Sequence, residues 1–526
     1  MPSEPPQDQP VDDDADSVGI RNSSNFLQVS EAILNQGEVE ADGYLEKELT
    51  GVSGFDAISY GGVPAGRATL VAGTAGSGKT VLGMQFLAKS ISDGGGAVFV
   101  TFEESPEDLR DNVKAFGWDL RAWEREGKFA MVDASPPDHQ DGFIGAFDLD
   151  ALLSRIGLAV EKTGAKRVVL DSLSGLYGQG FGNRGSLRFE LFRLIRQLKQ
   201  RQLTVLMTVE RARDTGTTDR HQIDEFVADS VVLLRNTLVN ERRRRTFEIL
   251  KYRGSRHLEG EAPFTIDANK GIVSQPLSSL ELTQQSSNHR VRSGVDELDV
   301  MCGGGFFRDS VTLVSGPTGT GKTLLASHFV AQLADGERGL LLAYEESREQ
   351  LIRNAASFGI DLPALEASGQ LKILCQYPEV QDLQGHLLQI TEMVHSFQPN
   401  RVALDSLSAL QRVANGEHFR DFLIGVNSLF KRQEIVTLMT NTSRDLVGSK
   451  SVSEQHISTL TDSIILLRYA EIGGSITRGL LVLKMRGSDH EEAIRRFDID
   501  SSGMRIGGGF DGVTGIMSGT VRPLMR

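Results

Sequence analysis

Gly73 to Thr80 read GTAGSGKT, and Gly316 to Thr323 read GPTGTGKT. Both fit G-x-x-x-x-G-K-[ST]. At that spacing the glycines let several backbone N–H groups converge on phosphate oxygens at a helix start, where the peptide dipoles already favour an anion. Gly76, Ser77 and Gly78 make the first loop; Thr318, Gly319, Thr320 and Gly321 make the second. Lys79 and Lys322 are placed to reach the β- and γ-phosphates, the hydroxyls of Thr80 and Thr323 to ligate Mg²⁺. Val81 and Leu324, next in each helix, complete the binding set. Apolar runs ATLVA (68–72) and VTLVS (311–315) precede the loops, giving the strand–loop–helix setting this chemistry needs. Two matches in that setting predict nucleoside triphosphate binding at two places.

Carboxylates recur beside both loops. Asp171 and Asp405 end the apolar runs VVLD and VALD, where a carboxylate faces the phosphate loop and holds Mg²⁺ through water. Glu103-Glu104 and Glu345-Glu346 follow the strand after each loop, a suitable place for the base that deprotonates an attacking water or hydroxyl. The other reading of these acids is local: Ser105 looks like a helix cap with Pro106 at the first helical position, and acids there favour the helix dipole. Lys251, Arg253, Lys484 and Arg486 alternate along the last hairpin strand of each half, so each pair shares one face. Far from their own loops in sequence, these cations are plausible contacts to a neighbour's γ-phosphate, which predicts a ring. The run Arg242 to Arg245 reads as a solvated hairpin end. Ser458 and Thr459 stand where the first half has Glu225 and Phe226. Adjacent hydroxyls of this kind are as a rule a cap or a solvent-facing pair, yet they are also phosphate acceptors the first half lacks.

The elements that must position these residues are duplicated. GVSGFDAISYGGVPAGRATLVAGTAGSGKT (51–80) aligns without a gap on GVDELDVMCGGGFFRDSVTLVSGPTGTGKT (294–323). FEES (102–105) pairs with YEES (344–347), VVLDSLSGL (168–176) with VALDSLSAL (402–410), and KYRGS (251–255) with KMRGS (484–488). Repeats of this length are complete domains in tandem, not solenoid units. GAVFVTF (96–102), RVVLDSL (167–173) and LTVLMTV (203–209) read as buried parallel strands, ELFRLIRQLKQ (190–200) as a helix, and 231–253 and 463–486 as hairpins. This β–α alternation predicts an α/β fold, a mostly parallel sheet with helices on both faces in each half. The expected divisions are 1–46, 47–273, a polar linker 274–290, 291–508, and a tail 509–526.

Composition narrows the class. Of the chain's net charge of −14, ten units fall in residues 1–46, which hold eleven acids and one base. That acidic, aromatic-poor stretch is expected to be disordered, apart from a short amphipathic helix over 26–35. The near-neutral remainder has no basic stripe, which counts against nucleic acid as the main partner. No run of eighteen apolar residues predicts a membrane span. The two cysteines offer no disulfide framework, and the start MPSEPPQDQP is not a secretion signal, so the expected location is cytoplasmic.

FVTFEES, ELFRLIRQLKQ, ERRRRTFEILKYRG, SGVDELDVMCGGGFF, AYEES, ALDSLSAL, HISTLTDSIILL and LKMRGS together resemble the KaiC family of double-RecA-domain clock ATPases, over about Gly51 to Ser518. The resemblance implies two tandem RecA-like P-loop domains in a hexameric double ring, with ATP at the subunit interfaces. The first domain would hydrolyse ATP, Glu103 acting as base beside Glu104. The second would be an autokinase and autophosphatase that moves the γ-phosphate to Ser458 and Thr459 of the adjacent subunit, with Glu345 taking the hydroxyl proton and joining the Mg²⁺ site beside Glu346. It further implies nucleotide contacts across the interface from Arg478, Lys484, Met485, Arg486, Ser488 and His490, and in the first domain from Lys251, Tyr252, Arg253, Ser255 and His257. Phe358 stands where the family has an aromatic near the adenine.

Partners follow from the same resemblance. A KaiB-like protein on the first domain is compatible with it, and the output kinase is not legible. The ending GIMSGTVRPLMR lacks the longer tail through which KaiC is stimulated by KaiA, so KaiA-independent control is expected. Asp267 and Ala268 replace a Thr-Asp pair near the first nucleotide. The rivals are a RecA/DnaB-like nucleic-acid motor, which shares the fold and loop, and a scaffold that hydrolyses ATP only to assemble.

Overall fold

The computed structural model describes residues 45–135, 149–178, 184–211, 227–239, 242–274, 286–414, 416–443, 457–472, 474–510, 512–517 and 522–523. Most of the acidic N-terminal stretch, including the helix expected over 26–35, lies outside these residues, as does most of the expected linker. The chain divides into two compact units whose main change falls at Ser274 and Gln275, with the short segments Thr237–Arg244 and Pro263–Thr265 grouped with the second.

In the first unit strand and helix alternate: β1 (Ala68–Gly73), α1 (Lys79–Ser92), β2 (Gly96–Thr101), α2 (Pro106–Lys114), β3 (Phe129–Asp133), α3 (Leu149–Thr163), β4 (Ala165–Asp171), α4 (Arg184–Gln200) and β5 (Thr204–Glu210). The hairpin β6 (Ser230–Val239) and β7 (Arg242–Tyr252) follows, then β8 (Glu261–Asp267) and β9 (Gly271–Val273). The sheet order is β9-β8-β7-β6-β1-β5-β4-β2-β3. The strand feeding the first glycine loop is therefore central, paired in parallel with β5 and β6. Every residue of β1 and β2 is buried, as a parallel strand covered on both faces requires.

The second unit repeats the plan with β10 (Val311–Gly316), α5 (Lys322–Ala331), β11 (Gly339–Ala343), α6 (Arg348–Ala356), β12 (Leu371–Cys375), α7 (Leu383–Phe397), β13 (Arg401–Asp405), α8 (Gly416–Arg432) and β14 (Val436–Thr442). A one-turn helix α9 (Ile457–Leu460) leads to the hairpin β15 (Ser463–Ile472) and β16 (Ser475–Met485), then β17 (Arg495–Asp500) and β18 (Gly503–Gly509). The order β18-β17-β16-β15-β10-β14-β13-β11-β12 is the first unit's order again. Successive residues of β10 serve opposite faces. Val314 packs into the cluster of Leu325 and Phe329, whereas Leu313 joins the cluster of Leu387, Ile390 and Phe422. The mostly parallel sheet with helices on both faces is thus present in each unit, as the alternation predicted.

Candidate active sites

Each glycine loop runs from the end of the central strand to a helix that opens on a left-handed glycine. Gly78 has φ 97° and Gly321 φ 100°, a conformation that only glycine adopts without strain. Neither helix start carries a side-chain cap, so the first N–H groups of α1 and α5 are left for another acceptor. The contrast lies within the same units: Ser105 caps α2 and Ser347 caps α6, as expected for Ser105 with Pro106. Lys79 Nζ donates to the Thr74 carbonyl and Lys322 Nζ to the Pro317 carbonyl, both at 2.9 Å. Each ammonium is thus curled over its own loop. Burial lowers both lysines' pKa values, while neighbouring carboxylates, Asp171 and Glu103 or Asp405 and Glu345, pull them back up. Gly76, Ser77, Thr80 and Val81 surround Lys79, and Thr318, Gly319, Thr320, Thr323 and Leu324 surround Lys322.

Asp171 and Asp405 close the sites from the strand ends. Asp171 Oδ2 accepts from Thr80 Oγ1 at 2.7 Å, and Asp405 Oδ2 accepts from Thr323 Oγ1 at 2.7 Å. Their other oxygens accept from Thr208 and Thr440. Burial pushes both carboxyls above the usual range, and the threonine hydroxyls work against that shift. A hydroxyl and a carboxylate side by side are hard oxygen donors of the kind Mg²⁺ takes together with phosphate oxygens and waters. Among the described residues no cluster of three or more acids, histidines or cysteines forms a protein-only metal cage. The donor set therefore fits a cation that arrives with its nucleotide.

The second acid of each pair is held alike in the two units. Glu104 is braced by Asn112 Nδ2 at 3.5 Å, and Glu346 by Asn354 Nδ2 at 3.2 Å, each from the helix that follows. The first acid of each pair is held differently in the two units. Ser172 Oγ donates to Glu103 Oε1 at 3.2 Å, whereas Arg412 NH1 donates to Glu345 Oε1 at 3.2 Å. Burial raises the Glu103 and Glu104 carboxyls, and Glu346 likewise. The Arg412 contact was missed in the sequence; setting LDSLSAL on LDSLSGL puts Gly178 opposite Arg412, a difference visible there.

The basic residues lie beside the opposite end of each central strand. Asp462 N donates to the Val311 carbonyl, and Arg486 N to the Asp462 carbonyl, both at 2.9 Å. Arg486 NH2 donates to the Thr459 carbonyl at 3.1 Å and Lys484 Nζ to the Thr461 carbonyl at 2.7 Å. Thr459, Lys484 and Arg486 thus gather at the Val311 end of β10. Their own phosphate loop begins at Gly316, the other end of that strand, about 17 Å away at ~3.3 Å per residue. The first unit repeats this arrangement: Lys251 Nζ donates to the Ala228 carbonyl at 2.8 Å, and Arg253 N to the Asp229 carbonyl at 3.0 Å. Thr459 is exposed. The Ser458 side chain, and Glu225 and Phe226, fall outside the described residues.

Other expected contacts scatter. Tyr252 turns inward, its hydroxyl donating to the Gly62 carbonyl at 2.8 Å, and Met485 is buried, so only their main chains face outward chemistry. Ser255 and His257 bond to carbonyls of the next residue, while Ser488 accepts from Arg290, and His490 lies against Ser488. Phe358 packs half-buried on the second unit's core. Arg478 does not join Lys484 and Arg486. It pairs across the hairpin with Tyr469, whose hydroxyl touches the Thr318 carbonyl of the same unit's phosphate loop.

The protein-family model described as "ATPase: KaiC" matches the chain twice, over residues 49–279 and 291–509. The chain belongs to the KaiC family. It is 53% identical over 483 residues to circadian clock protein KaiC3 of Synechocystis sp., covering 91% of this chain and 95% of that one. It is 50% identical to circadian clock oscillator protein KaiC of Synechococcus elongatus, over 90% and 92% of the two chains. With KaiC of Parathermosynechococcus lividus the identity is 48%, over 99% and 94%. The expected family, fold and function are therefore met: this is a KaiC-like clock ATPase of the autokinase and autophosphatase type, and it binds ATP. No helix among the described residues is long and apolar enough to cross a membrane.

Proposed function

We propose that the first unit passes the ATP γ-phosphate to water and the second passes it to Ser458 and Thr459 of an adjacent copy in a ring. The observation that carries this reading is the separation of acceptor and donor within one chain. Thr459 sits beside Arg486 at the Val311 end of the central strand, and the phosphate loop of the same unit lies at its Gly316 end. A hydroxyl there meets a γ-phosphate only when a second copy supplies it. Lys484 and Arg486, which flank the acceptor segment, would arrive at the neighbour's phosphates with it and offset charge developing on the transferred group.

In the first pocket Lys79 and the uncapped N–H groups of α1 would hold the β- and γ-phosphates, and Thr80 and Asp171 would hold the accompanying Mg²⁺. That cation would neutralise phosphate charge. Glu103 takes a proton from water as its oxygen attacks phosphorus, and the bond to the β-phosphate oxygen breaks to leave ADP. In the second pocket Glu345 takes the proton of the incoming serine or threonine hydroxyl, and the same bond breaks. The products are ADP and a phosphoester. A hexamer and a KaiB-like partner on the first unit follow from the family alone.

Two copies carrying complementary defects test the reading. A Lys322→Ala copy keeps its acceptors but loses its donor pocket; a Ser458→Ala/Thr459→Ala copy keeps the donor and loses the acceptors. Each alone should remain unlabelled by γ-phosphate-labelled ATP, and mixed assemblies should label the Lys322→Ala copy. Failure of the mixture to label, while wild type labels under the same conditions, overturns transfer between copies.

A further inference from the structure

The hairpin that carries the outward-facing cations also touches the phosphate loop of its own unit. In the first unit Arg245 Nε donates to the Gly76 carbonyl at 3.1 Å, and Asn236 Nδ2 lies 3.4 Å from the Ala75 carbonyl. In the second, Tyr469 hydroxyl lies 3.3 Å from the Thr318 carbonyl, and the Arg478 guanidinium lies over the Tyr469 ring at 5.8 Å. These are the same positions of the duplicated fold: Asn236 matches Tyr469, Arg245 matches Arg478, and Ala75 matches Thr318. The backbone approach is equally close in both. A Cβ on Gly73 would lie 2.6 Å from the Leu234 carbonyl oxygen, and one on Gly316 would lie 2.6 Å from that of Leu467. The first strand of each hairpin is therefore pressed against the loop that wraps the phosphates.

We infer that Arg245, with Asn236, is a positioning residue for the first nucleotide and that the hairpin couples neighbouring pockets. At its loop end the hairpin grips the P-loop of its own subunit; at its other end it presents Lys251 and Arg253 outward. Its strands are stiffened by Arg235, which pairs with Glu248 and Glu261, and by Thr246, which donates to Glu261. On this inference, phosphate entering the loop draws Lys79 away from the Thr74 carbonyl and turns the loop N–H groups to the anion, which moves the carbonyls on the far side of the same peptide units. Arg245 and Asn236 feel that change through Gly76 and Ala75, and the hairpin carries it to the cations serving the next nucleotide. Coupling of this sort needs an element whose position both sites bias, and the hairpin is the element that touches both. The coupling half rests on the trans reading proposed above; the grip of Arg245 on the P-loop does not.

The test is steady-state hydrolysis against ATP concentration in the full-length assembled protein, for wild type, Arg245→Gln and Arg245→Lys. Wild type is expected to show a Hill coefficient above one. Arg245→Gln should raise KM for ATP about three- to tenfold, the loss of one charge-assisted hydrogen bond at a half-exposed site, with kcat changed less than about twofold. Its Hill coefficient should fall to one, and Arg245→Lys should restore most of the affinity. Size-exclusion mass and tryptophan fluorescence should stay at wild-type values. Unchanged KM and Hill coefficient in Arg245→Gln overturn the inference. In a separate arm, Arg253→Ala copies are doped into wild-type rings. Slowing of more pockets than there are mutant copies supports the coupling. If the slowed pockets only equal the mutant copies in number, the coupling falls and the trans reading stands; if Arg253→Ala copies slow none, both fall, while a KM shift in Arg245→Gln still stands for the grip.

Discussion

At the scale of single residues, the two pockets differ most in what holds the first acid of each pair, the base in the proposal above. Glu103 accepts from the Ser172 hydroxyl, a neutral donor, while Glu345 accepts from the Arg412 guanidinium. Burial is the largest influence on Glu103 and raises its pKa; the Ser172 hydrogen bond, which favours the ionised form, opposes the rise. A base must be ionised to accept a proton, so the acid limb of first-pocket hydrolysis should lie above the ordinary glutamate range. Ser172→Ala removes the opposing contact and should move that limb to still higher pH, with the plateau rate above it little changed. A limb that stays put or moves to lower pH would show that Glu103 is not the titrating base. The acid pairs were legible in the sequence because each follows an apolar strand. The contacts that hold the first acid were not, because Ser172 and Arg412 lie 69 and 67 residues away in the chain.

At the scale of elements, local pattern was enough for the strands, the glycine loops, the Ser105 cap and the hairpins, since each has its period or its turn chemistry within a dozen residues. It was not enough for the hairpin's register. In sequence Arg245 reads with Arg242 to Arg244 as a solvated hairpin end, whereas its Nε donates to the Gly76 carbonyl, and Arg478 groups with Lys484 and Arg486, because only pairing across the strands shows which end of a hairpin a residue occupies. The same pairing makes a prediction about Gly73. A methyl there would meet the Leu234 carbonyl oxygen at 2.6 Å and Ser77 Oγ at 2.5 Å, and the first of these is backbone of a paired strand that cannot easily give way. Gly73→Ala should destabilise the first unit by about 1–3 kcal/mol, or roughly 3–10 °C in Tm for a unit of this size. Trp118 and Trp123 are the chain's only tryptophans and both lie in the first unit, so fluorescence isolates its transition. Gly73→Ala should lower that transition. Gly316→Ala, which meets Leu467 in the second unit, should leave it near wild type while lowering the far-UV circular dichroism transition. Equal effects of both variants on fluorescence would mean that the two units do not melt separately.

For the molecule as a whole, the proposed division of labour makes duplication followed by divergence the way two fates of one phosphate are separated. Each unit has its own sheet, its own buried core and its own loop, lysine, threonine and aspartate in matching places. What differs is peripheral to that shared machinery: Thr459 at the sheet edge, Arg412 on the base, Tyr469 where the first unit has Asn236. Divergence confined to the periphery predicts independent silencing. Ser458→Ala/Thr459→Ala removes only acceptors, so it should abolish phosphopeptide between His456 and Leu460 and leave total ATP turnover within about twofold of wild type. Glu103→Gln removes the base of the hydrolytic pocket, a change that general-base loss makes worth about 10²–10⁴-fold, and it should leave initial labelling of Thr459 near the wild-type rate. Both are read from one incubation with Mg-ATP, by released phosphate and by phosphopeptide mass spectrometry. If Glu103→Gln abolished labelling along with hydrolysis in intact rings, turnover in the first unit would have to drive transfer in the second. The shared architecture would then be one coupled engine in place of two separable pockets.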